Sequence, residues 1–446
     1  MDKEKQQLIN QFSEELLRGT GAFFIGSGIS TPSNLPNWEG LLRPFAENIG
    51  IKNLKGSDLP LIAQYIINEN AGNRGPFINV ISNKIRKKYS PNKYHEWIVK
   101  TNVKTIWTTN YDNLLEQAFG NHIIDIKTSD DDMSRDFPDS QVEIIKMHGC
   151  IFRSKRDDVV ISESDYEDFF VKRPATAQRL RIDLLQKSFL FIGYGYGDPN
   201  IKNIITEARR LSNNSTRQHY LITRNSGSVD FKLWCNNLKK YGISVIEIDD
   251  FSELEMILEA ISLKSRGKSI FITGSHLEAD NNDAKKLGTV LADKEDIMLI
   301  DGQSSGVLRI AVTAFMERCI NQKKDINKRL KFFANPYAAN PNFSNDISLI
   351  PILKQWRIPL LKETQILIAF DGGMGTMAEI EKAKELGCTI VPYFRKKDDK
   401  LHQLLFDEQI AKKINERNND YLIKARKYTL KITDVITLVE SLLENN

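Results

Sequence analysis

The chain has 446 residues, with 62 Lys and Arg against 58 Asp and Glu, a formal net charge of +4. Hydrophobic residues make up 41% and charged residues 27%, which fits a globular chain with two or three cores and excludes a disordered or collagen-like one. So small a charge over this length gives no support to a nucleic-acid-coating role. No run approaches the roughly 18 apolar residues of a membrane span.

The N-terminal stretch MDKEKQQLINQFSEELL is charged and helical in pattern, with no signal-peptide core. Cys150, Cys235, Cys319 and Cys388 are widely separated and form no Cys-x-x-Cys. That spacing argues against a zinc ribbon and for a reducing compartment. The expectation is a cytoplasmic chain with no metal, no membrane and no nucleic-acid partner.

The first apolar run that ends in glycines is Gly21 to Ser30, read as a strand and a turn. Apolar residues at three-to-four spacing then predict helices over 40–49, 59–70, 77–88 and 93–100, a helical insertion after the first strand. Strands are predicted at 105–109, 142–146, 189–193, 219–223 and 244–248, with a helical stretch from Ser164 to Gln186 and a helix from Phe251 to Ile261. The polar segment 262–268 marks a boundary, giving domains over 1–262 and 268–446. A second strand-and-glycine unit, Lys268 to Ser275, opens the latter. Strands at 297–300, 330–333, 366–370 and 389–393 follow, and the chain closes in helix from Leu401. Alternating strands and helices make both halves α/β, each a Rossmann-like, doubly wound domain.

In the first half, four strand ends carry polar residues or glycines. They are Gly26-Ser27-Gly28-Ile29-Ser30, Thr108-Thr109-Asn110-Tyr111-Asp112, Lys146-Met147-His148-Gly149 and Gly193-Tyr194-Gly195-Tyr196-Gly197. Ends of neighbouring parallel strands face one crevice, where α/β sheets bind ligands. Asn110 can hold a water or hydroxyl without adding charge, and His148 can take a proton. Asn110 can equally cap a helix starting at Tyr111 or Asp112. Tyr194 and Tyr196 can stack on a base or simply pack. His95, His122 and His219 read as surface or packing residues.

The first three of these motifs, in this order, resemble the Gly-Ala-Gly-Ile-Ser, Thr-Gln-Asn-Ile-Asp and His-Gly motifs of sirtuin-like NAD-binding domains, over roughly residues 10 to 260. The resemblance implies NAD as substrate, Asn110 and His148 as catalytic residues, and an NAD site at Gly26, Ser27, Gly28, Ile29, Ser30, Thr109, Asp112, Gly193, Tyr194 and Gly195. Asp112 would orient Asn110 or the nicotinamide end. The departures are equally informative. The four-cysteine zinc module of protein-deacylating sirtuins is missing, Asn37-Trp38-Glu39 replaces Asp-Phe-Arg, and Gly193-Tyr194-Gly195 replaces Gly-Thr-Ser. That pattern looks like bacterial sirtuin-like domains that hydrolyse NAD outright.

In the second half, Asp371-Gly372-Gly373-Met374-Gly375-Thr376-Met377-Ala378-Glu379 follows a strand and opens a helix predicted from Thr376 to Leu386. Free amides at a helix start suit an anion. With Gly274 and Ser275 on the first strand, the run resembles the Pro-Gly-Gly-x-Gly-Thr-x-x-Glu loop of the SLOG family, which includes phosphoribohydrolases. Asp371 replaces the proline, and Ala378 stands where an acidic residue often precedes the Glu. That loss favours binding without turnover. The resemblance implies a ligand site at Gly274, Ser275, Gly302, Arg357, Gly372, Gly373, Gly375, Thr376 and Glu379. Arg309 and the 302–306 loop are within reach of the same ligand. Glu379 can also serve only as a helix-dipole partner.

A sirtuin-like domain followed by a SLOG domain is similar to the effectors of Thoeris anti-phage defence. The similarity implies an NAD+ hydrolase activated by a cyclic ADP-ribose isomer from a TIR-domain partner, working as a homo-oligomer, tetramer or higher. A sirtuin-type protein deacylase and a non-catalytic nucleotide-sensing scaffold are the alternatives.

Overall fold

The computed structural model describes residues 2–54, 57–120, 122–135, 137–155, 158–195, 204, 217–240, 242–277, 280–339, 348–394 and 399–444. They form two compact units, Met1–Ser262 and Leu263–Asn446. The helix Phe251–Lys264 extends into the start of the segment 262–268 expected to separate them. Among the described residues, no helix is long and apolar enough to cross a membrane.

The first unit is built on seven parallel strands: β1 (Gly21–Ile25), β2 (Thr105–Thr108), β3 (Ile124–Lys127), β4 (Val142–Lys146), β5 (Ser188–Ile192), β6 (His219–Arg224) and β7 (Ile243–Ile248). Their order is β3-β4-β2-β1-β5-β6-β7. The central strands are buried on both faces, and the period of two is clean. Phe23, Ile25, Ile106, Leu190 and Ile192 enter one core. Ala22, Phe24, Trp107, Phe189 and Phe191 enter the other. Burial on both faces is why these strands read as continuous apolar runs. The sequence gives no such signal for β3, an edge strand whose Ile124, Asp125 and Ile126 are only half-buried.

Helices Trp38–Asn48, Leu59–Glu69 and Gly75–Ile85 form the insertion, with a core of their own around Leu42, Ala63 and Ile81. The helical stretch predicted from Ser164 to Gln186 consists of three helices: Glu163–Glu167, Phe169–Lys172 and Pro174–Gln186. Proline disfavours helical backbone in the residue before it, and Arg173 accordingly leaves the helix at φ −130, ψ 58.

The second unit holds five parallel strands, β8 (Ser269–Thr273), β9 (Met298–Asp301), β10 (Leu330–Phe332), β11 (Ile366–Ala369) and β12 (Thr389–Pro392), in the order β10-β9-β8-β11-β12. Strand order reverses between β8 and β11, so the binding crevice of a doubly wound sheet lies at their carboxyl ends. Helices Asn282–Asp293 and Val307–Asn321 pack so closely that a Cβ on Gly288 would strike the carbonyl of Ala311.

Gly288→Ala sets two effects against each other. Alanine gains about 1 kcal/mol of helix propensity, while overpacking against backbone costs about 1–3 kcal/mol. Because the obstacle is a main-chain oxygen that cannot swing away, the second effect is expected to win. A thermal melt should show a midpoint lowered by a few degrees.

Candidate functional site

In the first unit, the turns after β1 and β5 lie against each other backbone to backbone. Gly28 N–H donates to Gly193 O at 3.0 Å. A Cβ on Gly26 or Gly28 would sit 2.7 or 2.8 Å from that same carbonyl. Gly193 itself has φ +80 and would place a Cβ 2.5 Å from Gly26 O. The three glycines are therefore required by this contact between loops. Two 3₁₀ turns, Ser27–Ile29 and Thr31–Ser33, follow β1. Ile29 N–H and Ser30 N–H bond inside the first turn, to Gly26 O and Ser27 O. Few amides of this loop remain for an anion, while Ser27 and Gly28 stay exposed. Tyr194 packs beneath it, its hydroxyl 3.1 Å from both Thr109 Oγ1 and Ile25 O. This is the packing role. Gly195 is exposed with open space around it. Tyr196 and Gly197 lie outside the described residues.

The residue after Thr109 is held from several sides. Thr108 Oγ1 donates to Ile25 O at 2.8 Å and accepts from Asn110 N–H at 3.0 Å. Asn110 is buried, and its Nδ2 donates to Gly26 O and to Ser30 Oγ, each at 3.3 Å. Ser30 Oγ in turn donates to Asp112 Oδ2 at 3.0 Å, and Asp112 Oδ1 accepts from Leu114 N–H at 3.0 Å. Asp112, rather than Asn110, thus supports the start of the helix Leu114–Phe119. It also orients Asn110 through Ser30. The relay leaves Asn110 Oδ1 buried with no hydrogen-bond partner among the described residues. Turning the amide over would face that oxygen toward Gly26 O, so the acceptor is fixed in place. A buried acceptor without a donor costs about 1–3 kcal/mol, which a hydroxyl or water bonded to this atom would offset.

Lys146, at the end of β4, clamps the relay from below. It is buried and donates to Asp112 O and to Glu116 Oε1, the latter at 2.9 Å. Burial alone would lower its pKa, but Glu116 and its neighbours hold it above the ordinary value. His95, which reads from sequence as a surface or packing residue, takes part in the support of the site. It is buried, completes a capping box with Asn92, and lies near enough to Asp112 to feel its charge. Asn92 Nδ2 donates to Ile29 O at 2.8 Å and Ser33 Oγ at 2.9 Å, so this pair anchors the turn after β1. The Asn-x-x-His spacing was its visible signal.

β2 and β4 pair with Thr108 opposite Lys146. Asn110 and His148, each two residues further on, therefore occupy matching positions at adjacent strand ends. No hydrogen bond joins them among the described residues. His148 is 3% exposed and packs edge-on against Tyr166, at 5.1 Å, and Phe169, at 6.3 Å. Trp38 stacks on the same Tyr166 at 6.2 Å, so the residue that departs from the sirtuin pattern belongs to this aromatic wall. Burial, and then the charge of Arg173, push the His148 pKa down to about 3, against an opposing pull from Asp165. Arg173, buried and donating to Thr128 O and Met147 O at 3.1 Å, is a support that sequence reasoning missed. His148 is neutral at physiological pH.

In the second unit, the predicted residues gather at the ends of β8, β9 and β11. The helix after β11, Met374–Glu385, begins two residues before the predicted start, with Gly373 as its N-cap. Its first-turn amides have no acceptor within the helix, and Gly373, Met374 and Gly375 are exposed. Thr376 Oγ1 donates to Gly274 O at 3.3 Å, while Ser275 N–H donates to Asp371 O at 2.9 Å, tying the two glycine turns together. Arg357 is buried, and its donors stay inside the protein. Nη1 reaches Gly302 O at 2.7 Å, Nε reaches Glu379 Oε1 at 3.2 Å, and Nη2 lies 3.3 Å from Ser304 Oγ. Glu379 Oε2 accepts from Thr273 Oγ1 at 2.6 Å. Glu379 is thus paired, not merely a dipole partner, and Arg357 shapes the site by bracing Gly302. Among the described residues of the chain, no group of three or more His, Cys, Asp or Glu is placed to hold a metal.

Burial also pushes the pKa values of His95 and His219 down to about 4. Below their ordinary value of 6.5 the unfolded chain takes up protons that the folded chain refuses, so stability must fall as pH falls. At pH 5 the loss is on the order of 1–2 kcal/mol per buried histidine. The melting midpoint of the first unit should drop by several degrees between pH 7 and pH 5. An unchanged midpoint would contradict the neutral, buried state of His95, His148 and His219.

Residues 104–246 match the model of a SIR2-like domain. A NAD(+) hydrolase ThsA from Acinetobacter baumannii is 28% identical over 432 residues, 88% of this chain and 88% of that protein. Another NAD(+) hydrolase ThsA, from Enterococcus faecium, is 30% identical over 356 residues, 72% of this chain and 73% of that one. Defense-associated sirtuin 2 of Bacillus subtilis is 25% identical over 236 residues, 52% of this chain and 23% of its own length. With two Rossmann-like sheets, a SIR2-like domain and likeness at this level over most of both chains, the protein belongs to the ThsA family.

Proposed function

We propose that the first unit hydrolyses NAD to nicotinamide and ADP-ribose, with Asn110 and His148 as the catalytic residues. The observation that carries this is the buried, unpartnered Asn110 Oδ1, fixed by Ser30 and Asp112 at the strand end beside His148. Cleavage of the nicotinamide–ribose bond leaves positive charge on the sugar, and water adds to that carbon. Asn110 Oδ1 accepts from the attacking water or a ribose hydroxyl, holding it without placing a full charge nearby. Water bonded to a cationic carbon is strongly acidic, so the weakly basic, neutral His148 is sufficient to take its proton. Nicotinamide departs with the electrons of the broken bond. The exposed Ser27–Gly28 edge and the 193–195 turn would line the dinucleotide.

The second unit is proposed to be a SLOG-like sensor for a cyclic ADP-ribose isomer made by a TIR-domain partner protein. The exposed start of the helix Met374–Glu385, Gly373 to Gly375, suits the diphosphate. Ala378 stands where the phosphoribohydrolase loop often carries an acidic residue before the Glu, and that loss supports binding without turnover. In this reading the protein is a cytoplasmic homo-oligomer, tetramer or higher, that depletes NAD in anti-phage defence. The ligand must favour the active arrangement over the resting one, since equal affinity shifts nothing.

Asn110→Ala and His148→Ala should each lower NAD cleavage by at least about 100-fold, with melting midpoints within a few degrees of wild type. Nicotinamide release measured by chromatography decides this. Near-normal turnover in either variant would remove that residue from the site. For the sensor, Glu379→Ala or Arg357→Ala should raise the activator concentration for half-maximal NADase activity about tenfold or more. The maximal rate should stay nearly intact. A lowered maximal rate with an unchanged activator midpoint would place both residues outside the sensing site.

A further inference from the structure

We infer that Asp301 is the carboxylate that reads the ribose hydroxyls of the nucleotide bound by the second unit, an inference that rests on the sensor role just proposed. Asp301 is the last residue of β9 and is fully buried. Its Oδ1 accepts from Gln303 N–H at 2.7 Å. Its Oδ2 is buried with no hydrogen-bond partner among the described residues. Arg309 approaches that oxygen only to 3.6 Å, from a side chain that is 49% exposed. That is too long for a hydrogen bond, and a half-exposed partner screened by water compensates little. A buried carboxylate with one bare oxygen is costly to keep. It is completed by a donor from outside the chain.

The place of Asp301 names the donor. In the order β10-β9-β8-β11-β12, β9 adjoins β8, whose end carries Gly274 and Ser275 beside the glycine turn of β11. Doubly wound dinucleotide folds hold phosphate at the first strand's turn and put an acidic residue at the end of the second strand, where it accepts from ribose hydroxyls. Adjacent strands lie about 4.8 Å apart, so a phosphate at the β8 and β11 turns brings the sugar it esterifies to the end of β9. Uncharged hydroxyls are matched donors here. A second phosphate would meet like charge.

The loop that follows Asp301 is strained and held from several sides. Gln303 is a non-glycine residue at φ 54, a conformation that costs roughly 1–2 kcal/mol. The loop is pinned at its edges by Arg357 to Gly302 O at 2.7 Å, by Asn335 Nδ2 to Gln303 O at 3.3 Å, and by Ser305 Oγ to His276 O at 2.9 Å. Those pins tie it to segments that also border the ligand site. A hydroxyl that binds the bare Oδ2, with Gln303 N–H kept on Oδ1, therefore bears on a loop joined to Arg357 and, through it, to Glu379.

Hydrogen exchange on the full-length protein tests this without assuming the natural ligand. AMP, 2′-deoxy-AMP, 3′-deoxy-AMP and ADP-ribose are each titrated, and protection is read over 302–306 and 372–376. AMP is expected to protect both segments in the wild type. Removing the hydroxyl that Asp301 reads should raise the half-saturating concentration roughly 10- to 100-fold, as for a hydrogen bond to a charged group. Asp301→Asn keeps an acceptor for Gln303 N–H, and should bind AMP more weakly by a similar factor while no longer telling the deoxy forms apart. Equal binding of AMP and both deoxy forms by the wild type would overturn the inference, and needs no variant to fold. So would an Asp301→Asn protein with wild-type affinity and discrimination. Failure of AMP and ADP-ribose alike to protect 372–376 would instead overturn the sensor role, and the inference with it.

Discussion

A parallel strand buried on both faces can carry almost no polar side chains along its length, and both sheets of this protein obey that constraint. Phe23, Phe24 and Ile25 in β1, and Leu367, Ile368 and Ala369 in β11, are sealed on either side. Polar chemistry is forced to the strand ends, and in a parallel sheet all carboxyl ends lie on one edge. The adjacent positions of Asn110 and His148 follow from this, as do the facing turns of Gly274 and Gly372. Burial also decides protonation. The same packing that seals the strands holds His148 neutral.

The two crevices then diverge in what they offer a ligand. After β1 the backbone closes on itself, with the amides of Gly28, Ile29 and Ser30 all bonded within the protein. After β11 the backbone enters a twelve-residue helix whose N-cap and first two residues, Gly373, Met374 and Gly375, are exposed. The first crevice therefore presents side-chain acceptors and a neutral base, which suit a developing cation. The second presents amide donors, which suit a standing anion. Hydrolysis in one unit and binding in the other is the division that this difference in donors and acceptors favours.

Much of this was legible in the sequence, for physical reasons that also mark its limits. Doubly buried strands announce themselves as apolar runs. The edge strand β3, with Asp125 and Lys127 in an Asp125–Lys127 ion pair at 3.0 Å, does not. The glycines of Gly26-Ser27-Gly28 were visible, but sequence cannot say whether a missing Cβ admits a ligand or another backbone. Here it admits Gly193. Asn110, Asp112 and His148 were found through their strand ends. Lys146 and Arg173 were passed over because each depends on partners distant in sequence, Glu116 and Asp112 for the one and Thr128 and Met147 for the other; Asp301 was passed over because only its burial marks it. A basic residue in sequence reads as solvated surface, and only tertiary burial turns it into a clamp.

Arg357 shows how that distinction bears on control. An exposed arginine at a phosphate site adds affinity and little else. A buried one, bonded to Gly302 O and Glu379 together, couples the loop after β9 to the helix Met374–Glu385. Moving either alters the cost of moving the other, because a guanidinium left without one of its buried acceptors loses a charge-assisted bond of about 1.5–3 kcal/mol. That range is a factor of roughly ten to a hundred in an equilibrium. Coupling of this size makes a graded switch, since moving a two-state protein from 1:99 to 99:1 takes about 5.5 kcal/mol.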